Sequence, residues 1–434
     1  MRYKIKKIFI LMSHSIGRRH ILNVFLFKLT PFLRLIGRFY RKFFLGNKRF
    51  IVIVGSFGKT TTTRALKAVL FKTPNPPATR NTQILAILDM FRLPTGTKYA
   101  VFEAGIRRPG QMVRFAKMLQ PQIVIVTSIG SEHHSSLGSL ENTRNEKAEM
   151  IRILPSSGIA VLNADDPNVM WMKTQTQAHV VTFGFNRDAD VRAESVDIEN
   201  LQNTRVCVHI GNQILHLKIK LVGRVMIYPI LAAIAVTWAE GLDLFKIIPF
   251  LESLVPTPNR LQPIILENGV TILCDDFKSP IETVEAALDT FCSLPAKRRI
   301  FVIGMLDEIS GKFGPTYRWL GEQAAHASGK IIFIGTRKAL KRIRSGIKRV
   351  ESSLDSVIYP AKNTNHAVEI LHKLLNPGDL VLLKGRGSQK LQRIVLGLEG
   401  RTVQCDLKEC KTKITACRNC PMLESGWDNS ITVF

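Results

Sequence analysis

The chain has 434 residues, of which 45% are apolar and 22% are charged, as in ordinary globular proteins. Its 61 Lys and Arg outnumber its 34 Asp and Glu, and the resulting net charge of +27 suits an anionic partner. The sequence contains no uninterrupted apolar run as long as a membrane span, and its amino-terminal apolar run is too short for a signal peptide. We therefore expect a cytoplasmic protein of two or three domains with reduced cysteines.

Residues 1–48 form a basic front segment. No Asp or Glu precedes Asp89, whereas residues 1–88 carry 18 Lys and Arg. This charge run favours lipid headgroups or nucleic acid as partners, and a solvated basic surface without a dedicated partner is an equal alternative.

Residues 30–46 are predicted to form an amphipathic helix, with Thr30 as its cap, Pro31 in its first turn and Gly46 at its end. One face would be apolar and the other basic. The apolar face has Phe32, Leu35, Ile36, Phe39 and Phe43, and the basic face has Arg34, Arg38, Arg41 and Lys42. A basic helix rich in Phe is typical of an anchor at the inner face of a membrane, and packing on the next domain is the alternative.

Residues 49–255 alternate short apolar strands with helices, which predicts a central α/β domain on a mainly parallel sheet. The predicted strands are FIVIVG, YAVFEAG, PQIVIVTSIG, GIAVLNADD and VVTFGF. An antiparallel hairpin turning at Gly211 and Asn212 follows, and helical patterns at about 227–253 close the domain.

Residues 256–400 are predicted to form a smaller, Rossmann-like α/β domain after the linker VPTPNRLQP. Its strands would be VTILCDD, RRIFVIG, KIIFIG, SVIYP and DLVLLKG. Residues 401–434 form a Cys-rich tail.

The turn after the first strand has the composition of a phosphate-binding loop. Glycines allow backbone N–H groups to approach phosphate oxygens, Lys59 would reach the outer phosphates, and a Thr hydroxyl can ligate Mg²⁺. The nucleotide-binding residues would be Gly55, Ser56, Gly58, Lys59, Thr60 and Thr61. Ile53 stands where the long Walker pattern has Gly, so only a shorter form is present, and a chance match is the alternative.

The shorter form, Gly-x-x-Gly-Lys-Thr-Thr, resembles that of the Mur ligase superfamily of ATP-dependent amide ligases. Further similar stretches follow in the family's order: VFEAGIRRPGQM, TSIGSEHHSSLGSLENTRNEKAEM, VLNADDP, PNRLQ, CDDFKSP and LLKGRGSQKLQRIV. The branch that adds D-alanyl-D-alanine to a UDP-muramoyl tripeptide is the most similar. The resemblance implies ATP and Mg²⁺ as cofactors, and a carboxylate-bearing substrate joined to an amino acid or dipeptide in cell-wall precursor synthesis.

The resemblance also implies roles for individual residues. Mg²⁺ would be held by Thr60, Glu103 and His133, and by Lys147, which is carbamylated in the family. Catalytic roles would fall on Lys59, Lys147, His133 and Lys278. Nucleotide contacts would fall on Arg260 and on Asp276, with Asp275 as the second choice for binding the ribose. Lys384 and Ser388 lie in LLKGRGSQKLQRIV, the last of the similar stretches. Taken singly, a cap or ion-pair role for Glu103, a loop position for His133 and a solvated Lys147 are the alternatives.

Two departures from the family pattern are visible. About 50 residues precede the phosphate loop where the UDP-sugar ligases have a complete domain, so a lipid-linked or polymeric substrate is the alternative acceptor. Val225, Met226 and Pro229 replace a His-Asn…Asn cluster that helps to hold the nucleotide, so the purine would be held differently.

The tail contains Cys405, Cys410, Cys417 and Cys420. Four thiolates in two short-spaced pairs suit a structural Zn²⁺, and four reduced, metal-free cysteines are the alternative. Other hypotheses for the whole chain are a nucleotide-gated nucleic-acid-binding protein and a degenerate or amidotransferase partner subunit. Nucleic acid is the less expected partner, because no RNA-binding aromatic signature is visible.

Overall fold

The computed structural model describes residues 29–77, 81–132, 134–309, 311–351, 357–410, 416–420 and 422–426. His133 and most of the front segment, residues 1–28, lie outside the described residues. The expected mixed α/β class is confirmed, since two separate sheets are each covered by helices.

The larger sheet spans the first half of the chain. Its strands are β1 (Arg49–Val54), β2 (Tyr99–Glu103), β3 (Ile123–Val126), β4 (Ile159–Asn163), β5 (His179–Gly184), β6 (Val191–Asn200), β7 (Asn203–Ile210) and β8 (Gln213–Ile219). The helices of this half are α1 (Thr30–Phe44), α2 (Lys59–Leu70), α3 (Gln83–Phe91), α4 (Gln111–Leu119), α5 (His134–Leu137), α6 (Leu140–Arg152), α7 (Pro167–Met170), α8 (Tyr228–Ala239) and α9 (Ile248–Glu252).

The strand order of this sheet is β2-β1-β3-β4-β5-β6-β7-β8. Strands β1 to β5 are parallel, and β6 to β8 form an antiparallel meander that joins β5 over two residue pairs. The hairpin at Gly211 is confirmed, and β6 is an additional strand. The sequence did not predict β6, because only two of its ten residues are buried and four are exposed, so it lacks a regular apolar alternation.

Strand β1 shows why this sheet is covered on both faces. Ile51 and Ile53 pack into one apolar cluster with α8, whereas Phe50, Val52 and Val54 pack into a second cluster with α3 and α4. All five side chains are inaccessible to solvent. A continuous apolar run is therefore required, because successive side chains point to opposite faces and both faces are buried.

The smaller sheet belongs to the second half. Its strands are β9 (Gln262–Ile265), β10 (Thr271–Asp275), β11 (Arg298–Ile303), β12 (Lys330–Ile334), β13 (Ile358–Ala361) and β14 (Asp379–Lys384), and its helices are α10 (Ile281–Ser293), α11 (Phe313–Ala327), α12 (Arg337–Ile347), α13 (Thr364–Leu374) and α14 (Gln392–Leu398). The order is β13-β12-β11-β14-β10-β9, parallel except for β9. The predicted linker thus continues into a strand, and Pro263 is tolerated there because β9 is an edge strand.

Helix α1 differs from its prediction in two ways. It ends at Phe44 rather than near Gly46, and its N-cap is Leu29, which makes no capping bond, so Thr30 is not the cap. The helix packs on the body through Gly37 and Arg41, which are its buried residues.

The described part of the chain has no helix both long enough and apolar enough to span a bilayer.

Candidate active site

The loop between β1 and α2 has glycines with positive φ at two positions, a conformation that other residues rarely adopt. Gly55 has φ +142°, and a Cβ there would lie 2.0 Å from the Thr127 Oγ1. Gly58, the residue before α2, has φ +81°. The loop therefore brings bare backbone to the first turn of a helix, which is the arrangement that binds phosphate.

Lys59 is folded back into this loop. Its Nζ donates to the Gly55 carbonyl at 2.7 Å and the Ser56 carbonyl at 3.0 Å, and it pairs with the Glu132 carboxylate at 3.2 Å. The side chain is 6% exposed. Burial lowers the pKa of Lys59 to about 8, against the opposing attraction of Glu103.

Glu132, in the loop after β3, gathers two more lysines. Its carboxylate accepts a hydrogen bond from the Lys278 Nζ and lies 3.8 Å from the Lys147 Nζ. Lys147 also donates to the Ser56 Oγ at 2.7 Å. Burial, followed by the charge of Lys59, lowers the pKa of both Lys147 and Lys278.

A second polar group lies around Thr60. Its Oγ1 donates to the Glu103 carboxylate at 2.9 Å and accepts from the Arg260 guanidinium at 3.3 Å. The Asn81 amide donates to the other Glu103 oxygen at 3.2 Å. Glu103, at the end of β2, is 2% exposed, and the guanidinium of Arg260 stacks 4.0 Å from the Phe277 ring centroid.

These contacts bring the two halves of the chain together at the carboxyl ends of their strands. Lys278 and Arg260 from the second half reach Glu132 and Thr60 of the first. Glu282 at the start of α10 accepts from the Ser131 N–H and Oγ, both at 2.7 Å. The site is therefore a crevice between the two sheets, the usual position for ligands of open α/β folds.

The side chains of three predicted nucleotide-binding residues contact other protein groups. The Thr61 hydroxyl contacts the Thr257 Oγ1 at 3.0 Å, and Asp275 pairs with Lys384 inside the second half. Asp276 is 2% exposed, and its carboxylate accepts from the Gln392 N–H at 2.8 Å. Ribose binding by Asp276 therefore stays a prediction.

The region of the missing His-Asn cluster has its own aromatic arrangement. The Tyr228 hydroxyl donates to the Asp165 carboxylate at 2.8 Å, and its ring meets Phe185 edge-on with centroids 5.2 Å apart. The Arg224 guanidinium lies 3.7 Å from the Phe185 ring centroid. Two aromatic faces and a cation thus stand near Val225 and Met226.

Sequence reasoning missed two residues of the site, Glu132 and Asn81. Glu132 directly precedes His133 in the loop after a parallel strand, so the rule that ligands gather at strand ends could have selected it. No local signal marks Asn81, whose role depends on its contact with Glu103.

The four tail cysteines, in contrast, do come together. Cys405, Cys410, Cys417 and Cys420 line one cavity of about 20 Å³, remote in sequence from the phosphate loop. No disulfide is formed among the seven cysteines, all of which lie in the described part of the chain.

The crevice fits a polyphosphate and a divalent cation. A Cβ at Gly55 would strike Thr127 and Ser128 at the end of β3, so glycine lets the loop lie against that strand end. Burial disfavours the charged form of Lys59, and Glu132 supplies one carboxylate to Lys59, Lys147 and Lys278 together, so a further anion would be stabilised here. The Thr60 hydroxyl and the Glu103 carboxylate are oxygen donors of the kind that Mg²⁺ prefers. The arrangement can hold a nucleotide triphosphate and stabilise charge during transfer of its outer phosphoryl group.

Comparison with known proteins agrees with this geometry. Residues 53–237 match the model of the Mur ligase middle domain, and residues 259–387 match that of the Mur ligase, glutamate ligase domain. A UDP-N-acetylmuramoyl-tripeptide–D-alanyl-D-alanine ligase of Mycobacterium bovis is 26% identical over 366 residues, covering 80% of this chain and 72% of its own length.

Solved structures show the same fold. A MurF from Acinetobacter baumannii superposes with a TM-score of 0.74 at 19% identity, covering 85% of this chain and 80% of its own. A MurF ligase from Thermotoga maritima in complex with ADP gives a TM-score of 0.73 at 20% identity, covering 86% and 83%.

Proposed function

The chain belongs to the Mur ligase family, and we propose that it is an ATP-dependent ligase that joins a carboxylate to the amine of an amino acid or dipeptide. The curated relative in Mycobacterium bovis is named for adding D-alanyl-D-alanine to a UDP-linked muramoyl tripeptide. We place a reaction of this type, in peptidoglycan precursor synthesis, first.

One observation carries this proposal: buried cations with lowered pKa values surround the phosphate loop. Burial lowers the pKa of both Lys59 and Lys278; the charge of Arg260 lowers that of Lys59 further, and the charge of Lys59 lowers that of Lys278 further. Transferring charge out of water is costly unless an opposite charge is supplied. Glu132 is one carboxylate facing three lysines, and the phosphates of ATP would supply the remaining negative charge in this crevice.

The chemistry requires two steps. An oxygen of the substrate carboxylate attacks the γ-phosphorus of ATP, the bond to ADP breaks, and an acyl phosphate forms. The amine then attacks the acyl carbon, loses a proton and displaces phosphate. Both steps develop charge on phosphoryl oxygens, which Lys59, the loop N–H groups and Lys278 are positioned to stabilise.

Magnesium would be held by Thr60 and Glu103, and by His133, which lies outside the described residues; it would neutralise phosphate charge during transfer. Asn81 orients the Glu103 carboxylate, and Arg260 orients the Thr60 hydroxyl.

Lys147 is proposed to be carbamylated. Carbamylation needs a neutral amine, and burial lowers the pKa of Lys147 well below its ordinary value. The Ser56 hydroxyl, 2.7 Å from its Nζ, would then hydrogen-bond the carbamate. Carbon-13 NMR of protein equilibrated with labelled CO₂ should give a carbamate signal that Lys147→Met removes; an unchanged spectrum in that variant contradicts the assignment.

The function is tested by measuring ADP release from ATP with a panel of carboxylates and amines, including UDP-linked and lipid-linked wall precursors. We expect release only when both a carboxylate and an amine are present. ATP hydrolysis that depends on neither the carboxylate nor the amine, together with salt-dependent binding to RNA, would favour the nucleic-acid-binding alternative instead.

We further propose that α1 places the protein on an anionic membrane surface. The apolar side chains of the predicted membrane face point outward, with Leu35 67%, Phe39 59% and Phe43 61% exposed. Helix α1 still packs tightly, because Gly37 approaches Met90 closely and the Arg41 guanidinium stacks 3.8 Å from the Phe50 ring centroid.

The positive charge around this face favours anionic lipid as its partner. Arg38 and Lys42 flank it, and residues 1–88 carry 18 cations and no acid, which complements anionic headgroups. Exposed aromatic and aliphatic side chains beside cations are the features of a helix that lies in the interface plane of a bilayer. A lipid-linked acceptor would be met at the same surface, and this keeps the lipid-linked alternative open.

Vesicle flotation tests this surface. The full chain should float with phosphatidylglycerol vesicles and not with phosphatidylcholine alone, and Leu35→Glu/Phe39→Glu should abolish flotation. The matched control Ile214→Glu/Phe245→Glu changes two exposed apolar side chains elsewhere and should float normally. Failure of the unchanged protein to float, or its assembly into dimers through this face, would contradict membrane binding.

A further inference from the structure

We propose that Cys405, Cys410, Cys417 and Cys420 bind one Zn²⁺ as a structural site that fastens the tail to the segment 384–393. The four side chains surround one small cavity, and its volume of about 20 Å³ suits a single ion. Two of the cysteines are buried and two are partly exposed. This proposal does not depend on the proposed reaction.

The sulfur atoms are near each other but not yet at the spacing of metal ligands. Within the described residues, no three of them lie within 4.8 Å of one another. Sulfurs around a tetrahedral Zn²⁺ are roughly 3.8 Å apart, given Zn–S bonds of about 2.3 Å. Metal binding would therefore draw the thiolates inward, with loss of one proton from each thiol.

The charge around the cavity suits a tetrathiolate. Arg393 lines it, is 2% exposed, and donates to the Cys405 Sγ at 3.5 Å and the Cys405 carbonyl at 2.7 Å. Its other bonds go to the carbonyls of Gln389, Lys390 and Leu407. A Zn²⁺ with four thiolates carries a charge of −2, so Arg393 and Lys390, which also lines the cavity, would balance it.

The described residues of the tail bury few apolar side chains. Cys417 and Leu423 pack against Leu396 of α14, with Val403 beside them. Segments far below about 40 residues usually need a metal or disulfides for stability. Because no disulfide joins these four described cysteines, which line one cavity, a metal is the constraint that the residues can provide.

The zinc site would stabilise the loop after β14 and the start of α14. The Cys410 N–H donates to the Ser388 carbonyl at 2.6 Å, and the Cys417 N–H donates to the Gln392 side chain at 3.0 Å. Gln392 in turn donates its N–H to Asp276. A closed zinc site would thus hold the loop that positions Asp276, and its loss would loosen this loop without touching the phosphate crevice.

The test measures metal in untagged full-length protein purified under reducing conditions from zinc-supplemented medium. We expect about one zinc per chain, and below about one-tenth in Cys410→Ser/Cys420→Ser. Cobalt exchange should give the intense absorption of tetrahedral Co²⁺ thiolate in the unchanged protein and none in the variant. Far-UV circular dichroism and a cooperative thermal unfolding transition check that the variant is folded.

Two control variants make the result specific. Cys292→Ser alters an exposed cysteine on α10 and should retain the zinc. Cys207→Ser alters a cluster with Glu194 and His209, whose ligand atoms lie within 4.8 Å of one another, and should also retain it. Zinc lost with Cys207→Ser but kept by the tail variant would overturn the proposal, and so would metal-free protein that fails to take up Zn²⁺ or Co²⁺.

Discussion

Two basic regions of this molecule use their charge in opposite ways. In the crevice, Lys59 and Lys147 are buried, and the pKa of each is lowered by burial. On α1, Arg38 and Lys42 are exposed beside exposed aromatic side chains. Buried cations favour a ligand that enters and neutralises them, whereas exposed cations favour a surface.

The largest effect is expected from a substitution in the crevice that leaves α1 unchanged. Lys59→Ala removes the cation of the phosphate loop and should lower substrate-dependent ADP release by at least about 10²- to 10³-fold, because a buried charge that stabilises phosphoryl oxygens is lost. Vesicle flotation of the same variant should be unchanged.

Lys117→Ala on α4, an exposed position, is the matched control and should retain full activity. If Lys59→Ala turned over normally, the assignment of the crevice would be wrong.

The next effect concerns the group around Thr60. Glu103→Gln keeps the shape of the side chain but removes its charge, so we expect the Mg²⁺ concentration for half-maximal activity to rise about 10- to 100-fold. A Mg²⁺ titration of ADP release measures this change. Glu141→Gln, on the exposed face of α6, should titrate like the unchanged protein, and an unaltered titration of Glu103→Gln would remove this residue from the metal site.

Proton uptake should distinguish buried from exposed cations. The pKa of Lys59 is lowered to about 8, and bound phosphates favour the charged form, so binding raises this pKa. At pH 8 to 9 a nucleotide should therefore bind with uptake of on the order of one proton, and affinity should fall as pH rises through this range.

Calorimetry in buffers of different ionisation enthalpy measures this uptake. It should decrease in Lys278→Met, because the pKa of Lys278 is also lowered in the empty protein. Binding of anionic vesicles should be independent of pH in the same range. Proton release on nucleotide binding at pH 8 would contradict the picture of cations awaiting an anion.

The smallest effect concerns the contact between the two halves. Glu282→Gln weakens the bonds to Ser131, and we expect kcat/KM for ADP release to fall about fivefold, equivalent to roughly 1 kcal/mol. Glu285→Gln lies on the exposed side of the same helix and should have no effect. Equal activities of the two variants would show that this contact does not support the closed crevice.

The sequence was most informative where structure is local. The strand β1, the glycines of the loop and Lys59 follow one another within a few residues, so the local sequence motif predicts their roles. Glu132 could not be recognised in this way, because Lys59 lies 73 residues before it and Lys278 lies 146 residues after it. Lys59 meets Glu132 because β1 and β3 are neighbours in the larger sheet, whereas Lys278 meets Glu132 only where the two halves approach each other.

Helix α1 shows a second limit. Its pattern correctly groups the apolar side chains on one face, but the pattern does not decide which face packs on the body. Close approach at Gly37, and the bonds of Arg41 to the carbonyls of Leu119 and Leu45, turn the apolar face outward. These tertiary contacts override the usual expectation that the apolar face is buried.

The most direct test of the account is a crystal structure with Mg²⁺ and a non-hydrolysable ATP analogue. The account predicts the triphosphate over the turn Gly55–Thr61, with the Lys59 Nζ moved from the Gly55 carbonyl to a phosphate oxygen and the metal beside Thr60 and Glu103. A crevice that remains empty at saturating analogue, with Lys59 still bound to its own loop, would contradict it.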